Sequence, residues 1–291
     1  MSPSQPSGVL GKLRIILEMI KFEHTLFALP FAMMGMLLAA RGLPSGRTLF
    51  WIIVAMVGAR SSGMAFNRLV DREFDRQNPR TAGRAIPAGL LTPGQVALFV
   101  SATAALLVLA AWQLNPLALW LSPVGLGVIW GYSYTKRFTH FCHLFLGASL
   151  GIAPSAAWIA VRGSLDWPPV LLSGAVLFWA GGFDIIYSCQ DEAFDRGLGL
   201  HSIPSRLGIA RALLISRCMH LCVIALLLGV TALYPMGPYY FTGVGVVAGL
   251  LAYEHSLVRP TDLSRVDAAF FTVNGFVSIA LCLFTALDVF L

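Results

Sequence analysis

Two runs of acidic residues in this 291-residue chain have the spacing of an α-helix. Their polar members are Asn67, Asp71 and Asp75 in the first run, and Asp184, Tyr187, Asp191 and Asp195 in the second. Residues three or four positions apart lie on one face of a helix, so each run is expected to place its side chains along a single face. Stacked carboxylates repel one another. A divalent cation is the natural compensation for such a stack.

Magnesium is the cation that these ligands favour. It binds oxygen atoms, usually takes one or two protein carboxylates, and completes its octahedron with water and the phosphate oxygens of a substrate. The two runs therefore predict a Mg²⁺-bridged phosphate or diphosphate held between two helix ends. Solvated helix ends beside ordinary loops are the alternative, but they explain two matched runs poorly.

Arginine residues follow both acidic runs in glycine-containing loops. The four candidates for phosphate contacts are Arg80 and Arg84 after the first run, and Arg196 and Arg206 after the second. The planar guanidinium group matches phosphate oxygens, although membrane topology alone also places arginine beside a membrane-spanning helix. Each loop ends near an Ile-Pro pair, at Ile86-Pro87 and Ile203-Pro204, which indicates a weak internal duplication.

The composition indicates that membrane-spanning helices carry these runs. Hydrophobic residues make up 57% of the chain, charged residues only 12%, and the mean hydropathy is +0.76. A soluble domain has about 25% charged residues, so that class is excluded. The net charge of +6 is explained by cytoplasmic loops, and no nucleic-acid partner is expected. The five cysteines show no CxxC spacing and are predicted to be reduced.

Apolar stretches of membrane-spanning length predict an all-α polytopic membrane protein with nine transmembrane helices. The predicted spans are 22–40, 48–66, 94–112, 117–134, 141–160, 168–188, 210–232, 238–256 and 268–290. All but three of the 20 Lys and Arg residues then fall on one side, which the positive-inside rule assigns to the cytoplasm together with the N-terminus. We therefore predict a multi-pass inner-membrane protein whose acidic runs both lie at cytoplasmic helix ends.

The domain organisation follows from these spans. Residues 1–21 are expected to form a basic amphipathic segment on the cytoplasmic side, without a cleavable signal peptide. Residues 22–291 are expected to form a single transmembrane domain. Its pseudo-repeat halves would cover residues 22–136 and 141–256, followed by a ninth helix.

Three motifs occur in a characteristic order at the ends of the predicted spans. They are Asn67-x3-Asp71-x3-Asp75, Tyr132-x3-Lys136, and Asp184-x2-Tyr187-x3-Asp191-x3-Asp195. With Arg68 in place of a frequent aspartate, the chain resembles the UbiA superfamily of intramembrane aromatic prenyltransferases over essentially its whole length. The resemblance implies a helix bundle around a central cavity that holds two Mg²⁺ ions. It also implies transfer of a prenyl chain from a polyprenyl diphosphate to an aromatic acid in membrane quinone biosynthesis.

The resemblance further implies roles for individual residues. Asn67, Asp71 and Asp75 would hold one Mg²⁺ ion, and Asp184, Asp191 and Asp195 the other. Lys136 and Arg80 would contact the diphosphate. Tyr187 would line the reaction centre, and Asp191 is our candidate for the base that accepts the proton of the acceptor ring. The faces of Tyr132, Tyr134 and Tyr187 would stabilise positive charge on the prenyl chain.

The acceptor region departs from the pattern of many 4-hydroxybenzoate enzymes in this superfamily. Those enzymes carry an Arg-Pro pair near the start of the first span, where this chain has Glu23 and His24. Glu23, His24 and Tyr132 are candidate acceptor contacts, and a plain helix N-terminus is the alternative for the first two. The region resembles a bacterial branch called 4-hydroxybenzoate polyprenyltransferase-like, which is associated with menaquinone made by the futalosine route. Both 4-hydroxybenzoate-like and naphthoate-like acids stay open as acceptors.

Two other functions are compatible with the charge pattern. A prenyltransferase with another acceptor, such as a porphyrin, would use the same motifs. A transporter also uses intramembrane carboxylates, but its site belongs near the bilayer midplane, whereas both acidic runs lie at helix ends. The remaining polar residues are interpreted as bystanders: His140 and His143 as solvated loop residues, Glu254 and His255 as interfacial residues.

Overall fold

The computed structural model describes residues 9–20 and 25–291, and within these ranges it confirms an all-helical protein without β-strands. In chain order the helices are α1 (Val9–Met19), α2 (Thr25–Ala40), α3 (Gly46–Val70), α4 (Arg72–Gln77), α5 (Pro93–Leu114), α6 (Pro116–Thr135), α7 (Cys142–Arg162), α8 (Trp167–Ser188), α9 (Glu192–Gly197), α10 (Ile203–Leu207), α11 (Ile209–Thr231), α12 (Pro238–Ser256) and α13 (Asn274–Phe290). A π-helix, Ala268–Val273, runs directly into α13. The long helices follow the apolar stretches of the sequence.

Six segments in the described part of the chain are long and apolar enough to cross a membrane. They are α3, α5, α7, α8 with its extension to Gly197, α11, and the segment Ala268–Phe290. Among the residues whose side chains the structure describes, the apolar part of α2 is Ala28–Ala40, which is shorter than these six segments. α6 contains three glycines and an internal proline, and α12 contains Glu254 and His255, which lower their mean hydropathy. The count of nine spans therefore stays a prediction.

Local sequence signals set where the helices begin and end. α5 begins at a capping box, in which the side chains of Thr92 and Gln95 each accept a hydrogen bond from the backbone N–H of the other. Asn115 ends α5 and caps the first turn of α6 through its side chain. Gly163 ends α7 in the left-handed conformation, with φ of 68°. These abrupt ends allow consecutive helices to turn back on one another.

Both acidic runs lie where a long helix is interrupted. α3 gives way to α4 at Asp71, whose φ is −89° and ψ is 4°. α8 passes through a 3₁₀ turn before α9 begins, and Asp191 occupies the matching junction with φ of −98° and ψ of 5°. Each run was expected to lie along one helix face at a helix end, and the structure adds an interruption of the helix within each run. The N–H of Asp75 still donates to the carbonyl of Asp71 at 2.8 Å, so the first run keeps its helical spacing.

Small residues allow α7 and α8 to pack closely. A Cβ atom added at Gly147 of α7 would lie 2.2 Å from the carbonyl oxygen of Leu177 in α8. At Gly151 the added atom would lie 2.8 Å from the carbonyl oxygen of Ser173. Such close backbone approach is typical of helix association in membranes. It holds α8, and with it the second acidic run, against α7.

We expect Gly147→Ala to lower the free energy of unfolding by about 1–3 kcal/mol, because the added methyl group overpacks a contact between two backbones. Gly125→Ala is the matched control, since a Cβ there meets nothing within 4 Å. Thermal unfolding of both variants in the same detergent measures the difference. Equal transition midpoints would show that the two helices do not depend on this contact.

Candidate active site

A polar cavity of about 240 Å³ lies between the two acidic runs. Six of the polar residues predicted from these runs line it: Asn67, Asp71, Asp75, Asp184, Tyr187 and Asp191. Arg80, Arg84 and Lys136, which were expected to contact a diphosphate, also line it, as does Tyr132. Two runs that are far apart in the sequence therefore form the walls of one cavity.

The acidic residues of the first run are paired within the cavity wall. Asp75 is buried and lies 2.6 Å from Nη1 of Arg84. Asn67 donates a hydrogen bond to Oδ2 of Asp71 at 2.8 Å, and Arg137 lies 3.4 Å from Oδ1 of the same carboxylate. Burial and the neighbouring Asp75 carboxylate raise the pKa of Asp71, against the opposing charge of Arg137. The first run is thus a pair of neighbouring carboxylates that a further cation would stabilise.

Arg80 connects the two acidic runs. It follows the first run, and its guanidinium group donates to both carboxylate oxygens of Asp191 in the second run, at 3.1 and 2.5 Å. It also donates to the hydroxyl of Tyr187 at 2.9 Å and lies 5.1 Å from the centre of that ring. Burial alone would lower the pKa of Arg80, but the hydrogen bonds and the charge of Asp191 outweigh burial and raise it. Arg80 therefore fixes Asp191 and Tyr187 relative to each other.

Lys136, directly after α6, pairs with the last carboxylate of the second run. Its Nζ lies 2.7 Å from Oδ1 of Asp195, which is 0% exposed and is absent from the residues that line the cavity. Burial alone would lower the pKa of Lys136, but the charge of the Asp195 carboxylate raises it. The structure thus places Asp195 behind Lys136 and not on the cavity surface with the other predicted cation ligands.

His143 is buried, so its interpretation as a solvated loop residue is wrong. It lies in the first turn of α7, where its Nδ1 is 2.7 Å from Oδ2 of Asp184. The backbone N–H of Ile203 donates to Nε2 at 3.3 Å. Because Nε2 accepts this hydrogen bond, the ring proton lies on Nδ1 and is donated to Asp184. His143 therefore orients a carboxylate of the cavity in the way that outer residues orient metal ligands.

Two of the predicted diphosphate contacts lie outside the cavity. Arg196 is exposed and forms an ion pair with Glu192, which lies one turn earlier on α9. Arg206 is exposed near the end of α10. The loop after the second run folds into α10 through a capping box, and this short helix keeps Arg206 away from the cavity.

The ligand atoms of the cavity fit Mg²⁺. Oδ2 of Asp75 is buried and accepts no hydrogen bond from residues 9–20 or 25–291. The other carboxylate and amide oxygens come from Asn67, Asp71, Asp184 and Asp191, and Mg²⁺ prefers such oxygens to nitrogen or sulfur. Among the described residues, no three His, Cys, Asp or Glu side chains converge closely enough to hold an ion by themselves. A cation here would complete its coordination with oxygens of water or of a bound phosphate.

An apolar cavity of about 210 Å³ adjoins the polar one. Tyr132 and Leu146 line both cavities and mark the point where they meet. Most of the remaining lining consists of small and aliphatic side chains from α3, α5, α6 and α7. These walls fit an aliphatic chain whose polar head occupies the neighbouring cavity.

Arg60 is a charged residue in this apolar wall, and sequence reasoning missed it. Its Nε is buried without a hydrogen-bond partner, and no ion pair joins it to a carboxylate within residues 9–20 and 25–291. The sequence count treated Arg60 as a cytoplasmic charge. Its position two helical turns before Asn67, on the same face of α3, was the signal that it points towards the site. Glu23 and His24, the other predicted acceptor contacts, lie outside the described residues.

Sequence comparisons identify relatives along most of the chain. The model of the UbiA prenyltransferase family matches residues 28–278. A 4-hydroxybenzoate octaprenyltransferase from Cupriavidus metallidurans is 32% identical over 271 residues, which cover 92% of this chain and 91% of that protein. A 4-hydroxybenzoate octaprenyltransferase from Vibrio atlanticus is 29% identical over 256 residues and covers 88% of this chain and 89% of that protein.

Solved structures share the fold. The apo structure of a UbiA homologue from Aeropyrum pernix K1 has a TM-score of 0.84 and 34% identity, and it covers 91% of this chain and 98% of its own. A UbiA homologue from Archaeoglobus fulgidus bound to DMAPP and Mg²⁺ has a TM-score of 0.71 and 18% identity, covering 94% of this chain and 98% of its own.

Proposed function

Because the chain belongs to the UbiA prenyltransferase family and is a prenyltransferase, we propose that it transfers the chain of a polyprenyl diphosphate to an aromatic acid in membrane quinone biosynthesis. The acceptor is a 4-hydroxybenzoate-like or naphthoate-like acid. The named activity of the relatives supports the former. The resemblance of the region around Glu23 and His24 to the menaquinone-associated branch supports the latter.

One observation carries this proposal: a carboxylate-rich polar cavity meets an apolar cavity at Tyr132 and Leu146. A prenyl diphosphate has the same division, with a highly charged head attached to a long apolar chain. In this orientation the diphosphate lies between the two acidic runs, and the first carbon of the chain lies near Tyr132. The DMAPP and Mg²⁺ bound by the archaeal UbiA homologue are a ligand pair of this chemistry.

The residues of the cavity would neutralise the charge of the diphosphate in two ways, through bound Mg²⁺ and through cationic side chains. We propose that Asn67, Asp71 and Asp75 hold one Mg²⁺ ion and that Asp184 and Asp191 hold a second; Asp195, which the resemblance assigned to the second ion, is buried behind Lys136 and is left out of this set. When bound, Mg²⁺ supplies Lewis-acid stabilisation of the charge that develops on the leaving diphosphate. Arg80, Arg84 and Lys136 donate hydrogen bonds to that diphosphate as its bond to carbon lengthens.

The positive charge left on the prenyl chain requires a different environment. The aromatic faces of Tyr132 and Tyr187 lie at the cavity wall, where a ring attracts a cation through its quadrupole. The acceptor ring attacks the allylic carbon, and Asp191 accepts the proton that the ring then loses. Arg80 donates to both oxygens of Asp191. If its side chain moves away from Asp191 with the departing diphosphate, that carboxylate becomes free to accept the proton.

We assign Arg60 to the carboxylate of the acceptor, because it is a cation in the apolar wall without an ionic partner in the described ranges. A charge-assisted hydrogen bond contributes about 1.5–3 kcal/mol. Arg60→Gln is therefore expected to raise the KM for the aromatic acid about 10- to 100-fold. The KM for the prenyl diphosphate is expected to stay within a factor of two or so.

Steady-state kinetics with each substrate varied in turn measure this effect. Arg47→Gln is the matched control, because Arg47 lies on the same helix but is exposed in its first turn, at the end away from the acidic run. An unchanged KM for the acid in Arg60→Gln, or an equal rise in Arg47→Gln, would place the acceptor carboxylate elsewhere.

We further propose nine membrane spans, which adds α2, α6 and α12 to the six segments that qualify by length and composition. The N-terminus and both acidic runs would face the cytoplasm, in an inner membrane. Residues 22–291 would form one catalytic domain whose halves cover 22–136 and 141–256. The interruptions at Asp71 and Asp191 support this internal repeat, because in each half the helix is interrupted at the aspartate four residues before the last one of the run.

The proposed function is tested by a transfer assay with purified protein and labelled farnesyl diphosphate. 4-Hydroxybenzoate and a naphthoate-type acid are offered separately, each with Mg²⁺ and with EDTA. The proposal predicts a labelled aromatic product with at least one acid, formed only in the presence of Mg²⁺. Product formed equally well with EDTA would contradict the metal site, and no product with either acid would contradict the acceptor class.

A further inference from the structure

The π-helix that precedes α13 packs against the candidate site. Phe270 lies in this π-helix, and its ring centre is 4.2 Å from that of Tyr187, with 33° between the two planes. Phe271 contacts Tyr187 from another direction, at 5.9 Å and 72°. Phe183 also contacts Phe270, at 5.0 Å and 89°. The position of the Tyr187 ring therefore depends on where the π-helix places Phe270.

A π-helix replaces the i→i+4 hydrogen bonds of an α-helix with i→i+5 bonds and is frequent at functional sites. The side chain of Asn274 adds hydrogen bonds to this one. Its Nδ2 donates to the carbonyl oxygens of Ala269 at 3.0 Å and of Phe270 at 3.2 Å. Asn274 is 0% exposed, so water does not replace these hydrogen bonds. The side chain of Asn274 thus holds the carbonyl groups on either side of the Phe270 residue in their positions.

Two further contacts fix the side chain of Asn274 itself. Its Oδ1 accepts a hydrogen bond from Nε1 of Trp179 at 2.6 Å. Its Nδ2 also lies 2.9 Å from Oε1 of Glu254, so the two N–H groups of the amide are shared among three acceptors. Glu254 is 0% exposed, so its interpretation as an interfacial residue is wrong. The amide is therefore held by α8 on one side and by α12 on the other, and its rotation is prevented.

We propose that Asn274 is a positioning residue for prenyl transfer: by holding the π-helix in register, it keeps Phe270 against Tyr187 and so sets the Tyr187 hydroxyl for Arg80. The proposal rests on the proposed function for its catalytic consequence. It identifies a residue outside both acidic runs and outside the lining of the polar cavity. The link runs from Asn274 through one aromatic stack to the hydroxyl that Arg80 contacts at 2.9 Å.

A direct readout of this geometry is independent of enzyme activity. A fluorotyrosine placed at Tyr187 reports the ring current of Phe270 through its ¹⁹F chemical shift. We expect Asn274→Ala to move this resonance in the same direction as Phe270→Ala, because both variants remove the stack. Asn115→Ala is the matched control. Asn115 donates to two carbonyl groups of α7, at 2.8 and 3.3 Å, but does so away from the site.

The kinetic readout is a double-mutant cycle. Misplacement of a catalytic group by about 1 Å costs up to about 100-fold in rate, so Asn274→Ala is expected to lower kcat by about 10- to 100-fold. The variant that combines Asn274→Ala with Phe270→Ala should be no slower than the slower single variant, because both act through the same stack. Asn274→Asp keeps an acceptor for Trp179 but cannot donate to the two carbonyls, so it should behave like Asn274→Ala.

The outcomes separate this proposal from a merely structural role and from failure of the proposed function. A structural role predicts that Asn274→Ala and Asn115→Ala lower the unfolding temperature similarly, with an unchanged ¹⁹F shift and an unchanged kcat. Independent multiplication of the Asn274 and Phe270 effects on kcat would also overturn the proposal. If the wild-type protein transfers no prenyl group, the proposed function fails. The ¹⁹F shift still decides then whether Asn274 positions Tyr187.

Discussion

Replacement of Asp191 by asparagine is expected to lower prenyl transfer about 1,000-fold while leaving the protein folded. Asparagine has nearly the same shape but carries no charge, so it cannot compensate a cation or accept the ring proton. It also offers one acceptor oxygen to Arg80 where the carboxylate offers two, at 3.1 and 2.5 Å. Arg80 is partly exposed, so water can replace part of the lost contact and the stability loss should be small.

The activity of Asp191→Asn is measured in the labelled-diphosphate assay, and its folding by thermal unfolding in the same detergent. Glu192→Gln is the matched control, because this adjacent acid forms its ion pair with exposed Arg196 and is absent from the cavity lining. We expect Glu192→Gln to retain at least about half of the wild-type activity. Retention of more than a tenth of the wild-type rate in Asp191→Asn would remove this residue from the proposed site.

Lys136→Met is expected to lower both transfer and stability. Methionine keeps the length and apolar stem of lysine but removes the cation that lies 2.7 Å from Asp195. An uncompensated buried carboxylate costs about 3 kcal/mol, the lower end of the range for buried pairs because the Lys136 side chain is 37% exposed. Loss of the hydrogen bond to the leaving diphosphate is expected to lower kcat by at least about 100-fold.

A second substitution separates the two effects of Lys136→Met. The double variant Lys136→Met with Asp195→Asn has no charge left without a partner, so its unfolding temperature should return close to that of the wild-type protein. Its kcat should stay low, because no cation has been restored to the cavity. Recovery of activity together with stability would show that Lys136 serves only to compensate Asp195.

The sequence could predict the acidic runs because their chemistry is local and their spacing is visible. Asp71 and Asp191 stand at helical intervals from their neighbours, and a fold that brings two such helix ends together needs only antiparallel hairpins. The interruptions of the helix at these two positions could not be predicted. Each interruption arises where a membrane-spanning helix meets a polar loop. The residues that follow, in α4 and α9, themselves form helix, so the sequence gives no signal that the first helix ends there.

The contacts of the basic residues could not be predicted from composition and position in the sequence. Arg80 and Arg206 both follow an acidic run, and only the folded loop decides that the first contacts Asp191 and the second is exposed. Arg60 was counted as a cytoplasmic charge, and His143 was interpreted as a solvated loop residue. Their burial depends on which face of α3 and α7 packs inwards, and charge counting carries no information about that face.

A crystal of the protein with Mn²⁺ and a non-hydrolysable farnesyl thiolodiphosphate would show directly whether the two acidic runs bind one metal–diphosphate complex. Anomalous scattering locates Mn²⁺, which takes the same oxygen ligands as Mg²⁺. We expect two Mn²⁺ positions in the polar cavity, one beside Asp71 and Asp75 and one beside Asp191, with the diphosphate between them. Anomalous peaks outside this cavity, or a thiolodiphosphate bound away from Arg80 and Lys136, would contradict it.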